Sequence, residues 1–161
     1  MATDSESEVC NLALLRVGQR QFITSLDEDT TEARLCKAIF EPARDELLEM
    51  APWPFATRRA LLAALVLPTT GPSTGEWAYA YSMPVDCVAP RFIYTGVAMT
   101  PPESRIPFAI EVNSETGSGF WLLCNQESAQ LSYTARVTNV GMWTPLFVQA
   151  MAWRMSLDLI Y

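Results

Sequence analysis

The sequence predicts an α+β protein in which an antiparallel β-sheet is inserted between helical segments. Apolar residues recur at helical spacing in the first third of the chain, and short runs of strand character follow them. A last segment that opens with a proline and contains few polar residues returns to helical character. We therefore expect a single domain over residues 1–161, with a helical part at about 5–51 and 144–161 and a β insertion at about 55–137.

The first helix is predicted at about residues 5–17. Ser5 followed three positions later by Glu8 is typical of a capping box, in which both side chains satisfy backbone N–H groups at a helix start. Gly18 stands where a helix commonly ends, because glycine adopts the left-handed conformation of a C-terminal cap.

The second helix is predicted to follow an acidic loop at Asp27–Thr31, with Asp29 or Thr30 as its N-cap. One buried stripe is expected along it, formed by Ala33, Cys36, Ile39, Phe40, Ala43, Leu47 and Met50. Pro42 interrupts this stripe, and we expect a kink or a short break there because proline costs about 3 kcal/mol inside a helix. Pro52-Trp53-Pro54 ends the helix.

The β insertion is predicted from a series of short segments. Residues 58–67 fit either a helix or a covered strand, and we adopt the strand. Trp77–Met83 alternates large and small side chains, which places Trp77, Tyr79, Tyr81 and Met83 on one aromatic face. Further strands are expected at Val88–Val97, Phe108–Asn113, Gly119–Cys124 and Gln130–Val137, with a hairpin turn at Ser114–Ser118.

The charge of the chain bears on its partners and its location. Eighteen acidic residues against eleven basic ones give a net charge of -7, which disfavours tight binding to a nucleic-acid backbone. An acidic surface does allow DNA to pass without sticking. No apolar stretch reaches the ~20 residues of a membrane span, and the acidic N-terminus is unlike a secretory signal. We expect a soluble protein made in the cytoplasm.

Catalytic and metal-binding patterns are weak in this sequence. The chain has no histidine, which excludes Ser–His, Cys–His and Zn–His sites. Its four cysteines form no CxxC pair and are expected to be small buried residues. The loop at Asp27–Thr31 lacks the glycine and glutamate of an EF-hand, since Glu32 and Ala38 stand in their places. We predict no enzyme activity, no metal and no cofactor.

Two other functions are kept as alternatives. Carboxylate pairs such as Asp45 with Glu46, or Asp27 with Asp29, would serve a hydrolase of surface polysaccharide or cell wall if they flanked a cleft. Solvated helix ends and faces are their ordinary interpretation. The third interpretation is an acidic protein-binding module that regulates a host protein as a stable monomer.

The last helix is predicted from Thr144 as N-cap and Pro145 at its first position to Tyr161. Because it is apolar nearly all round, it must be covered from more than one direction. A neighbouring subunit, another partner or a further C-terminal segment is expected to supply part of that cover. We predict an apolar surface, completed only on assembly, that is formed by Trp143, Phe147, Met151 and Trp153.

The order of short motifs along the chain resembles the phage head–tail connector (adaptor) proteins, in particular the tail tubular protein A family of short-tailed phages. The motifs that carry the resemblance are Arg44-Asp45-Glu46-Leu47-Leu48, Pro52-Trp53-Pro54-Phe55-Ala56, Arg59-Ala60, Tyr79-Ala80-Tyr81, Pro84-Val85-Asp86-Cys87 and Tyr133-Thr134-Ala135-Arg136-Val137. The terminal helices add Asn11-Leu12-Ala13-Leu14, Pro145-Leu146-Phe147 and Ala152-Trp153-Arg154, so the likeness spans nearly the whole chain.

The resemblance implies a structural virion protein that is made in a bacterial host. Such a protein would form a ring of copies of itself, following the twelve-fold symmetry of the portal protein. It would join the portal vertex to the tail tube or nozzle protein, and DNA would pass through its central hole without sequence-specific binding. The resemblance also implies that Trp53 and the Pro84 segment serve packing and turn formation, not catalysis.

Overall fold

The computed structural model describes residues 5–67, 75–97, 104–113 and 119–160. Contacts between residues divide the chain into two compact units, Met1–Ala56 with Arg136–Tyr161 and Thr57–Ala135. The first unit is helical and the second is built from antiparallel strands, so the α+β prediction is confirmed. The expectation of a single domain stays a prediction.

The helical unit contains α1 (Glu6–Arg16), α2 (Thr31–Met50) and α3 (Pro145–Leu159). Each helix begins after a hydroxyl side chain that accepts a backbone N–H of its first turn, and these N-caps are Ser5, Thr30 and Thr144. The hydroxyl satisfies a donor that has no partner within the helix. The predicted N-caps at Ser5 and Thr144 are therefore confirmed, and Thr30 rather than Asp29 caps α2.

Pro42 lies inside α2, which is a continuous helix of 20 residues. Of the kink or short break expected at this position, the short break is therefore wrong, and the kink stays a prediction. Pro42 is exposed, and so is Ala38, whose carbonyl would have accepted the hydrogen bond that proline cannot donate. Because water can satisfy that carbonyl, the helix continues through the proline.

The described part of the β unit holds seven strands, which are β1 (Thr57–Leu61), β2 (Ala64–Leu65), β3 (Tyr79–Ser82), β4 (Cys87–Tyr94), β5 (Phe108–Val112), β6 (Phe120–Cys124) and β7 (Gln130–Ala135). They form two antiparallel sheets, ordered β1-β7-β4 and β2-β3-β6-β5. The expectation of one sheet is wrong, because residues 58–67 divide into two strands with partners in different sheets.

Pairing of β5 with β6 confirms the two arms of the predicted hairpin, whereas the predicted turn at Ser114–Ser118 lies outside the described residues. The core of this unit contains Tyr81, with Tyr79 and Met83 packed against the same cluster. Trp77 instead packs against a second cluster that contains Trp121, so its placement on the same face as the two tyrosines is wrong. Trp77 precedes the first residue of β3, where the regular alternation of the strand begins.

Candidate interaction surface

The inner face of α3 is packed around Phe147, whose side chain is completely buried. Its ring meets those of Trp53, Phe55 and Trp143 edge-on, with centroid separations of 4.9, 5.0 and 4.8 Å. Such edge-to-face contacts are favourable because the electropositive edge of one ring meets the electronegative face of another. We call these four residues the ring cluster.

Three of the four predicted interface residues lie inside the chain. Trp143, Phe147 and Met151 are buried, and the Trp143 indole N–H donates to the carbonyl of Val137 at 3.0 Å. The assignment of these three to a surface completed only on assembly is therefore wrong. The reason is that α1 and α2 both pack on α3 and supply the cover that was expected from a partner. Trp153 is the exception, at 60% exposure.

One exposed face of α3 and its C-cap carries large apolar side chains. This outer stripe is formed by Leu146, Trp153, Leu157 and Ile160, each between 58% and 70% exposed. Leu146, Trp153 and Ile160 are seven residues apart and Leu157 lies four beyond Trp153, so all four project from one side of the helix. A stripe of this kind fits the groove of another helix.

Arg16, in the last turn of α1, lies against the middle of the outer stripe. Its guanidinium stands 4.4 Å from the centroid of the Trp153 ring and also donates to the side chain of Gln149. Partial burial lowers the pKa of Arg16. The cation–π contact and the hydrogen bond together hold Trp153 in a fixed orientation while most of it remains exposed.

A group of ion pairs borders the outer stripe on α3. Arg154, next in sequence to Trp153, donates to Glu46 at 2.6 Å and to Asp158 at 2.8 Å. Hydrogen bonds to Asp158 and then Glu46 raise the pKa of Arg154. The apolar stripe thus has charged neighbours, an arrangement that resembles the apolar core and polar rim of a protein interface.

The carboxylates that the sequence suggested as hydrolase candidates are held in ion pairs. Asp45 accepts from Arg44 at 2.9 Å and from Arg136 at 3.0 Å, and Asp27 accepts from Lys37 at 2.6 Å. The hydrogen bond from Lys37 lowers the pKa of Asp27. A general acid at neutral pH needs the opposite shift.

Glu46 and Asp29, the second members of those carboxylate pairs, are also held in ion pairs. Glu46 accepts from Arg154, and Asp29 accepts from Arg34 at the start of α2. Neither predicted pair is therefore a pair of free, facing carboxylates. Their observed role is to connect helices or to tie a loop to a helix.

A cavity of about 550 Å³ lies in the β unit. Its described lining contains no charged side chain and consists of Leu65, Ser82, Met83, Pro84, Val85, Cys87, Val88, Pro90, Ile110, Asn113, Gly119 and Phe120. An apolar lining of this kind provides neither the acid nor the base that glycoside hydrolysis requires.

Cys10, Cys36 and Cys124 are buried and Cys87 is half-buried, which confirms the prediction of cysteines as small interior residues for the first three. Within the ranges that the structure describes, no three side chains of the metal-binding types come together. No helix in those ranges has the length and apolar character to cross a bilayer. No protein-family model and no curated protein sequence matches the chain.

Proposed function

We propose that this protein is a structural adaptor of a phage particle, in which a ring of identical copies joins the portal vertex to the tail. The observation that carries the proposal is the outer stripe of α3, a row of large apolar side chains left exposed beside charged neighbours. Contiguous apolar surface of this kind on a folded chain usually marks a contact with another protein. In this proposal the stripe contacts the neighbouring copy in the ring.

The charge distribution supports a contact between copies at this place. Two chains with a net charge of -7 repel each other, so they approach most easily where acidic side chains are scarce. The outer stripe contains no acidic residue, and Arg16 lies against its centre. Acidic residues at its border, Glu46 and Asp158, both pair with Arg154, which leaves one net negative charge there.

The resemblance of the motif order supplies the rest of the proposal. It supports a ring that follows the symmetry of the portal protein, meets a tail tube or nozzle protein and surrounds the path of the DNA. The acidity of the chain suits that position, because a negatively charged channel wall does not retain DNA. The particle is the proposed location, after synthesis in a bacterial host.

The two alternatives make different predictions. A carboxylate hydrolase needs two carboxyl groups facing one cleft, and the candidate carboxylates Asp27, Asp45 and Glu46 are instead bound by basic side chains. An acidic regulatory module would remain a monomer in the presence of the portal protein. The exposed stripe is expected of both the adaptor and the protein-binding module, so behaviour with the portal protein separates these two.

The proposal is tested by combining Trp153→Asp with Leu157→Asp and mixing the variant with the cognate portal protein. Both side chains are mostly exposed, so the variant should fold and keep the circular dichroism spectrum of the original chain. The double variant should form no rings on the portal protein. Negative-stain imaging and sedimentation velocity would measure ring formation. Each contact would bury the two introduced aspartate side chains, and both would have to lose their hydration when the ring assembles.

Met50→Asp is the matched control, because Met50 is 72% exposed at the end of α2 and is not part of the outer stripe. This variant should assemble as the original chain does. Normal rings from the double variant would show that the stripe is not the contact. No assembly of the original chain on any portal preparation would refute the adaptor function itself.

A further inference from the structure

The cavity of about 550 Å³ in the β unit is apolar and open to solvent. Its described lining contains no charged side chain, and four large apolar side chains of that lining are more than one-third exposed: Leu65, Val85, Ile110 and Phe120. We call this feature the β cavity. A recess with an exposed apolar rim is suited to receive an apolar side chain of another protein, because both surfaces release water on contact.

We propose that the β cavity receives the outer stripe of α3 from the neighbouring copy in the ring, with the ring of Trp153 as the inserted group. This inference rests on the proposed function and names the surface of the neighbour on which the stripe docks. The stripe belongs to the helical unit and the cavity to the β unit, so the contact joins two different surfaces of two identical chains.

A ring of identical copies requires a contact between unlike surfaces. If the outer stripe packed on the outer stripe of a second copy, both surfaces would be covered and the assembly would end as a pair. When a stripe docks in a cavity, each pair still has one free stripe and one free cavity, so further copies add until the ring closes. The chain therefore needs a second surface that complements the stripe, and the β cavity provides an apolar recess for it.

The charges of the two surfaces permit this contact between acidic chains. The described lining of the β cavity is uncharged and the outer stripe contains no acidic residue, so no carboxylate of either surface has to be buried. Arg16 lies against Trp153, and within the described residues it donates to Gln149 and pairs with no carboxylate. Arg16 thus brings a positive charge to a neighbour whose net charge is -7, and the two attract each other.

Trp153 is suited in size and orientation to be the inserted group. The guanidinium of Arg16, 4.4 Å from the centroid of the Trp153 ring, holds that ring in a fixed orientation, so docking costs little further side-chain entropy. Pockets that hold small molecules have volumes of about 300–1,000 Å³. The β cavity, at about 550 Å³, lies within that range and has space for an indole ring together with Leu157, one helical turn further along α3.

The test is photo-crosslinking from the outer stripe in assembled rings. Leu157 is replaced by p-benzoylphenylalanine, and this chain is mixed with an isotopically heavy chain of the original sequence and with the cognate portal protein. After irradiation, mass spectrometry should identify cross-links from the light peptide that contains position 157 to heavy peptides that contain Val85 or Phe120. The same replacement at Met50 should give no such cross-links. The measurement is repeated with the concentrated free chain, without portal protein.

Substitutions in the two surfaces test their pairing. Val85→Asp should keep the circular dichroism spectrum, because Val85 is fully exposed, and should form no rings on the portal protein. Leu61→Asp is the matched control, since Leu61 is exposed in β1 and is not part of the lining, and it should form normal rings. A mixture of Val85→Asp with the double variant Trp153→Asp and Leu157→Asp should give one-to-one pairs by sedimentation velocity, because one intact stripe meets one intact cavity.

The outcomes separate this contact from the adaptor function. Normal rings from Val85→Asp, or cross-links from position 157 to α3 or to any surface other than the β cavity, would overturn the docking of the stripe in the cavity and leave the adaptor function intact. Cross-links to the β cavity in the free chain, with no rings on any portal preparation, would support the contact and refute the adaptor function. Neither rings nor cross-links to the β cavity would refute both.

Discussion

Replacing Phe147 with alanine should remove the centre of the ring cluster and strongly destabilise the chain. Phe147 is completely buried and holds edge-on contacts with Trp53, Phe55 and Trp143 at centroid distances between 4.8 and 5.0 Å. The three neighbouring rings come from two separate parts of the helical unit, the segment that follows α2 and the one that precedes α3. They cannot all move inward to fill the space.

The expected loss in the free energy of unfolding is about 4 kcal/mol. Truncation of a buried phenylalanine to alanine costs about 3–5 kcal/mol, from lost burial together with the cavity that remains. Each aromatic pair adds about 0.5–1.5 kcal/mol in favourable cases, and three pairs around one ring are not additive. Because the free energy of unfolding of a domain is typically about 5–15 kcal/mol, this single substitution would remove a large part of it.

Urea unfolding followed by circular dichroism measures the loss, and Trp153→Ala on the same helix is the matched control. Trp153 is mostly exposed, so its removal should cost only the contact with Arg16, about 0.5–1 kcal/mol. A loss below about 1.5 kcal/mol for Phe147→Ala would contradict the ring cluster as the core of this unit. Equal losses for the two variants would contradict the assignment of inner and outer faces on α3.

Four further outcomes are expected. Burial and the hydrogen bond to Asp86 raise the pKa of Tyr133 from 10.0 to about 12, so its contribution to stability is complete below pH 10 and is lost as the pH rises towards 12. In the Asp86→Asn variant, an absorbance titration of the tyrosines should show Tyr133 ionising at a lower pH than in the original chain. Asp45→Asn should cost about 2 kcal/mol in urea unfolding, because the buried Arg44 guanidinium loses the closer of its two carboxylates, at 2.9 Å, and keeps only Glu41 at 3.8 Å. Pro42→Ala should raise the unfolding free energy by about 1–3 kcal/mol, since α2 is already continuous there. EDTA should leave Tm unchanged, and one zinc per chain by elemental analysis would contradict this.

Local signals in the sequence located most of the elements. Ser5 and Thr144 were readable as N-caps because a hydroxyl before an apolar helical pattern satisfies a backbone donor wherever the helix packs. The strand at Tyr79–Ser82 is readable from side-chain alternation. Both kinds of signal depend only on neighbouring residues.

The division into two sheets depends on pairing between distant segments, which a local pattern does not contain. Arg59 of β1 pairs with Ser132 of β7, whereas Leu65 of β2 pairs with Ala80 of β3. Two strands of one apolar run therefore join different sheets. The composition of residues 58–67 does not depend on which strand each half pairs with. Rules of propensity and alternation therefore do not distinguish one sheet from two.

The apolar character of α3 overstates its uncovered surface for a similar reason. A sequence shows how many sides of a helix are apolar, but not how many of them the rest of the chain will cover. Here α1, α2 and the ring cluster cover the sides that contain Phe147 and Met151, which leaves one row that includes Trp153. The spacing of Leu146, Trp153 and Ile160 was the available signal, because residues seven apart lie on one side of a helix. The proposed contact would therefore follow this single row, and substitutions at the buried Phe147 and Met151 would report on folding instead of assembly.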